Sequence, residues 1–105
     1  MGEVSCRRSV RERANGLCER CGQPGTDAHH RKNRSQGGRW DVANILLLCR
    51  QCHIWVTVNP ALARESGWSV QQHEDPQAVP VLIIGQWMRL HNNGTVEWAT
   101  APVKE

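Results

Sequence analysis

The sequence contains no phenylalanine and no tyrosine; five tryptophans are its only large aromatic residues. Any hydrophobic core must therefore be built from Leu, Val, Ile and Ala. In 105 residues such a core is thin, because short chains bury a smaller share of their surface than larger domains do. A staple, either a bound metal or disulfides, is expected before any motif is considered. Long hydrophobic runs are absent too. The longest, 45–49 and 79–85, fall far short of the ~20 apolar residues that cross a bilayer. The basic residues near the N-terminus are not followed by the apolar stretch of a secretory signal. The expectation is a single soluble domain in the cytoplasm, with no membrane association. Internal repeats and low-complexity tracts are missing as well.

Acidic residues do not balance basic ones in the front half. Residues 1–53 carry ten Lys and Arg against five Asp and Glu, whereas 54–105 carry three against five. A basic front half points to a polyanion partner, of which nucleic acid is the commonest. A merely solvated basic surface gives the same count.

Periodicity divides the chain. Val10, Ala14 and Leu17 stand at helical spacing and predict an amphipathic helix over 4–17, with Gly16 as a cap near its end. Short strands are expected over 27–32 and 45–48. The Ser-, Gly- and Asn-rich segment 33–41 between them is a loop, interrupted by Gly37 and Gly38. A helix is expected from Cys49 to about Val58, stopped by Asn59-Pro60, with one more turn over 61–66. The stretch 69–78 is the best candidate linker. Beyond it, 79–84 is β-prone, and 87–90 and 95–98 flank Asn93-Gly94, a strong hairpin signal.

Four of the five cysteines form two matched pairs, Cys18-x-x-Cys21 and Cys49-x-x-Cys52, with 27 residues between them. Each pair can present two thiolates to one ion, and together they complete a closed tetrahedral site suited to structural zinc. Gly22 relieves the backbone of the first knuckle. A redox role lacks the βαβ context it needs, disulfides lack a secretory signal, and chance does not readily give two matched pairs. Cys6 stands outside this scheme as an ordinary free thiol.

Phosphodiester hydrolysis needs a base that works near neutral pH and a divalent ion to absorb developing charge. His29, His30 and His53 offer imidazoles for both tasks. Adjacent strand residues point to opposite sides. One of His29 and His30 therefore faces the helix, where it can share a metal with His53, and the other faces a substrate groove. Asn44 can bind backbone across the loop and fix the hairpin. His73 and His91 sit in no ligand-like setting.

The run Cys18-x-x-Cys21, Ala28-His29-His30-Arg31, Gly37-Gly38, Asp41-x-x-Asn44-Ile45-x-Leu47-Leu48-Cys49-x-x-Cys52-His53 resembles the HNH endonuclease family over roughly 16–59. A second likeness, carried by His53-Ile54-Trp55-Val56, His73-Glu74-Asp75-Pro76 and Val79-Pro80-Val81, is to the small HNH proteins of actinobacterial phages. The resemblance implies a small α+β protein with a ββα-metal core, stapled by the four-cysteine zinc. An N-terminal helix and a C-terminal β-hairpin flank that core. It implies His29 and His53 as ligands of a catalytic divalent metal, His30 as the general base, and Asn44 as the loop brace. It also implies Cys18, Cys21, Cys49 and Cys52 as the zinc ligands of the zinc-bearing branch. Thr57 stands where some members place another ligating histidine. An ion held by two side chains points to exchangeable Mg2+ or Mn2+, with Zn2+ or Ni2+ as alternatives.

Residues 1–68 are thus expected to form the nuclease domain. Residues 69–105 are expected as a β-rich extension packed on the same domain. Double-stranded DNA is the expected partner, held through backbone phosphates by Arg31, Lys32, Arg34 and Arg39. Arg7, Arg8, Arg11 and Arg13 form a second basic group on the first helix. By analogy with phage relatives, the terminase large subunit is a candidate partner and the host cytoplasm the location. The competing reading is a non-catalytic zinc module that binds nucleic acid; a protein-binding zinc adaptor is a third.

Overall fold

The first helix, α1 (Glu3–Ala14), opens with an i,i+4 ion pair between Glu3 and Arg7 at 2.8 Å. It stops earlier than periodicity predicts. Asn15 and Gly16 both take positive φ, 55° and 75°, and the Gly16 N–H returns to the Arg11 carbonyl. Leu17 therefore leaves the helix and bridges to Pro24. The computed structural model describes residues 2–102.

Strands β1 (Asp27–His30) and β2 (Ile45–Leu48) pair antiparallel, with His29 opposite Leu46 and His30 opposite Ile45. The loop between them holds two single turns of 3-10 helix, 34–36 and 42–44. β1 ends at His30 rather than at residue 32, because Arg31 turns inward. Helix α2 (Arg50–Val58) follows at once, with the Cys49 sulfur accepting the Cys52 N–H at its start. Asn59-Pro60 ends it, and Pro60 begins α3 (Pro60–Glu65), where a missing N–H costs nothing.

The tail forms a three-stranded antiparallel sheet, β3 (Val81–Ile83), β4 (Gln86–Leu90) and β5 (Val96–Trp98). The Asn93-Gly94 hairpin joins β4 to β5. A second hairpin, unsignalled in the sequence, joins β3 to β4 through Ile84 and Gly85, at φ 44° and 82°. A β-branched residue rarely takes positive φ. Here Ile84 is held by its N–H bond to the Glu19 carbonyl.

Strand β2 is buried on both faces. Leu46 and Leu48 join Val56, Ala63, Val81 and Leu90 on one side, whereas Ile45 and Leu47 join Cys6, Val10 and Val42 on the other. Two thin cores thus share one strand as their wall. Cys6 is fully buried in the α1 core and is a packing residue rather than an incidental thiol.

The stretch 69–78 is no free linker. Val70 is buried and its N–H bonds to the Arg31 carbonyl, while the carbonyls of Pro76 and Val79 accept from the Arg31 guanidinium. Gly67 sits where a Cβ would collide with the Pro80 carbonyl, so the tail approaches α3 at a point only glycine permits. Among the described residues, no helix is long and apolar enough to cross a membrane.

Candidate metal centre and histidine cleft

The four paired cysteines converge. Cys18 and Cys21 lie on the knuckle after α1, Cys49 and Cys52 at the start of α2, and their sulfurs all fall within 4.8 Å of one another. Cys21 and Cys49 sulfurs are 3.7 Å apart. A tetrahedral ion with Zn–S bonds of ~2.3 Å spaces its sulfurs by ~3.8 Å, so the donor set and its geometry suit zinc. Burial opposes ionisation of Cys18, but the backbone N–H groups of Cys49, Cys21 and Arg20 outweigh it and bring the thiol down to about 7. Burial pushes Cys52 up to about 12. Four sulfurs this close ionise together only when a cation is among them.

Arg20 bears on this centre. Its guanidinium lies over Trp55 at 4.2 Å and Trp68 at 4.7 Å, and donates to the Cys52 sulfur at 3.2 Å. The guanidinium is thus shared between two ring faces and a sulfur.

His29 and His30 close β1, which among the described residues pairs with β2 alone. His29 and His30 leave the strand on opposite faces, yet both reach a cleft of about 370 Å³ that is also lined by His53, Thr57, Arg34 and Ser69. His29 is buried and faces α2, its ring 5.3 Å from that of His53. Its Nε2 donates to the Trp68 carbonyl at 2.7 Å, which leaves the lone pair on Nδ1. His53 Nδ1 donates to Asp27 Oδ2 at 2.9 Å, which leaves the lone pair on Nε2. Metal-binding imidazoles are commonly oriented in this way, one nitrogen fixed by an oxygen acceptor and the other free to ligate. Burial is the main reason the His29 pKa falls to about 4, so the ring is neutral at physiological pH, as a ligand must be.

His29 and His53 together offer two imidazole nitrogens without a protein partner. Among the described residues, only the four cysteines gather three or more convergent His, Cys, Asp or Glu ligand atoms. The Thr57 hydroxyl donates to the His53 carbonyl at 2.8 Å.

His30 faces the α1 side, edge-on to Trp40 with ring centres 4.6 Å apart. Its Nε2 is enclosed and has no hydrogen-bond partner. Burial, then the charges of Arg34 and Arg7, hold its pKa below the usual histidine value. Asn44 is buried, with Oδ1 accepting the Lys32 N–H at 2.8 Å and Nδ2 donating to the Arg39 carbonyl at 3.1 Å. It ties the two ends of the loop together.

The basic residues part company. Arg34 and Arg39 are exposed and Lys32 is half-buried. Arg31, expected on the DNA face, is wholly buried and cannot reach a phosphate. Its guanidinium donates to the carbonyls of Ala43, Gly67, Pro76 and Val79 at 2.7–2.9 Å. Burial pulls its pKa down to about 9, which still leaves it charged at neutral pH. Arg13 is likewise withdrawn from the helix surface, in a two-pronged bond to Glu19 at 2.6 and 3.0 Å with both side chains 3% exposed. Asp27 and Arg50 join the site without belonging to any of the motifs above. Asp27 stands two residues before His29, on the same face of β1 by strand alternation, and Arg50 Nε bonds its Oδ2 at 2.9 Å.

Residues 18–56 match the family model described as HNH endonuclease. No curated protein and no solved structure matches the chain. The matched stretch runs from the first paired cysteine into α2 and takes in all four cysteines with His29, His30, Asn44 and His53.

Proposed function

We propose that this protein is a metal-dependent endonuclease that hydrolyses phosphodiester bonds in DNA. One observation carries the reading: within the stretch that matches the nuclease family, His29, His30 and His53 line a single cleft. The hairpin β1–β2 followed by α2 would then be a ββα-metal core. His29 Nδ1 and His53 Nε2 would hold a divalent ion, Mg2+ or Mn2+ given so few side-chain ligands. Such an ion, when bound, neutralises charge on the phosphate oxygens.

The chain's own residues supply the rest. His30, neutral near pH 7, takes a proton from the attacking water through Nδ1, since Nε2 is buried without a hydrogen-bond partner. Arg34, exposed at the rim, binds a non-bridging phosphate oxygen. Asn44 keeps the loop that carries Arg34 and Arg39 in one shape. The four-cysteine zinc is structural. The enclosed Nε2 of His30 favours a second reading, a zinc-stapled module that binds nucleic acid without cutting it. A link to phage genome packaging rests on the resemblance alone.

The test is nicking of supercoiled plasmid by purified, zinc-loaded protein with added Mg2+ or Mn2+, beside His30→Ala. Nicking that requires the added metal and drops at least a hundredfold in the variant, at equal zinc content, is the expected result. Folded protein that binds the plasmid and never cuts it would establish the second reading. Equal nicking by both proteins would remove His30 from the site.

A further inference from the structure

The two residues inside the first cysteine knuckle do different work. Glu19 turns towards β2, and its Oε1 accepts both the Arg13 guanidinium at 2.6 Å and the Leu47 N–H at 2.9 Å. Arg20 instead crosses to α2 and reaches the second knuckle. Its Nη1 donates to the Cys52 sulfur at 3.2 Å, and its Cζ lies over the rings of Trp55 and Trp68. Those rings meet edge to face, 5.9 Å apart at 82°, and Trp68 is pinned by its Nε1–H bond to the Leu82 carbonyl at 2.7 Å. The corner they form fixes where the guanidinium can sit. The matching residues of the second knuckle, Arg50 and Gln51, are exposed.

The four sulfurs are not equally provided for. Cys18 accepts the Cys21 N–H and Cys49 accepts the Cys52 N–H, each at 3.4 Å, so the first sulfur of each knuckle is served by its own turn. Cys21 is exposed, and water can solvate its sulfur. Cys52 is buried in the first turn of α2, and the Arg20 donor comes to it from the other knuckle. Four thiolates around a divalent ion leave negative charge in excess, and buried net charge is costly unless a partner is at hand. A guanidinium offsets part of it, and a charge-assisted bond to sulfur is stronger than a neutral one. Arg20 Nε is buried with no hydrogen-bond partner, so the side chain is placed for its charge and its one sulfur contact rather than for a full set of bonds.

We infer that Arg20 is a positioning residue of the four-cysteine centre: from the first knuckle it fixes the buried Cys52 sulfur of the second and offsets excess negative charge, so that a bound zinc is held longer. The inference rests on the structural-zinc reading and is independent of whether the protein cuts DNA. Partners that act through a ligand in this way commonly contribute about 10–100-fold in metal affinity. Lysine is no equivalent here, because an ammonium has no planar fork to lie against a ring while aiming an N–H at sulfur.

Transfer of Zn2+ from the loaded protein to excess 4-(2-pyridylazo)resorcinol tests it, beside the absorption spectrum of the Co2+-loaded protein. Arg20→Met keeps much of the stem that packs on the rings and removes the charge and the donor. It is expected to release zinc at least about tenfold faster. Its sulfur-to-cobalt charge-transfer band should move to longer wavelength, because a sulfur without its donor gives up an electron more easily. Arg20→Lys should recover part of both effects. Arg89→Gln, on β4 beside Glu97, removes the same charge elsewhere and should behave as the parent. Parent-like release by Arg20→Met would overturn the inference, as would faster release with an unmoved band, which would make Arg20 a packing residue only. If Arg20→Met does not fold in excess Zn2+, Arg20→Lys decides: faster release with a shifted band supports the inference, and an unmoved band overturns it. A parent protein that takes up neither ion would sink the zinc reading and the inference together, whereas uptake with parent-like variants would sink the inference alone.

Discussion

Arg31 and Arg34 stand three positions apart in a basic stretch, and only one of them meets solvent. Arg31 satisfies four carbonyls in the interior; Arg34 borders the histidine cleft. Replacing Arg31 with Met should cost about 3 kcal/mol or more, because the carbonyls it satisfies are left unpaired. Arg34→Gln should stay within about 0.5 kcal/mol in the same urea titration. Composition gives no means of separating the two, since burial of a guanidinium depends on carbonyls from the tail. His29 makes a second prediction. Its folded pKa of about 4 lies below the usual 6.5, so the unfolded chain binds the extra proton between those values. Stability should therefore be fully present above pH 6.5 and decline as pH falls towards 4, by about 3 kcal/mol at most. Denaturant midpoints across this window should fall less steeply in His29→Gln. A parallel slope would show that other groups, the zinc thiolates among them, set the acid limit.

At the level of elements, the sequence was most legible where period and punctuation agree. Strand β2, helix α2 and the Asn59-Pro60 break lie where the pattern puts them, and so does the hairpin around Asn93-Gly94. The β3–β4 turn had no signal, because Ile at positive φ is a choice made by contacts with Glu19 rather than by turn propensity. The end of α1 was misplaced because Leu17 continues the apolar period although Asn15 and Gly16 have already ended the helix. Within the cleft, the histidine and cysteine positions were readable from spacing. The acceptors that orient them were readable only in part: Asp27 by alternation along β1, the Trp68 carbonyl by nothing local. The loop 33–41 supplies the test at this scale. Asn44→Ala leaves the Lys32 N–H and the Arg39 carbonyl without their partner and should cost about 2 kcal/mol in a denaturant melt. Zinc content should stay the same, because the cysteines lie outside the loop.

For the molecule as a whole, two small cores on either side of β2 and few large rings lead to the expectation that folding depends on metal at the four cysteines. Removing the metal with a strong chelator should abolish the cooperative thermal transition, and restoring Zn2+ should recover it, as followed by circular dichroism. A cooperative transition retained at zero metal content would show that packing alone suffices. Arg20 then has a consequence of a practical kind. It sits in the corner formed by the edge-to-face rings of Trp55 and Trp68 and touches the Cys52 sulfur, so two of the five indoles stand one guanidinium away from the cysteine cluster. Removing a metal ion from the four cysteines is expected to disturb that arrangement, which would make the protein's own tryptophan emission an unlabelled optical gauge of metal occupancy.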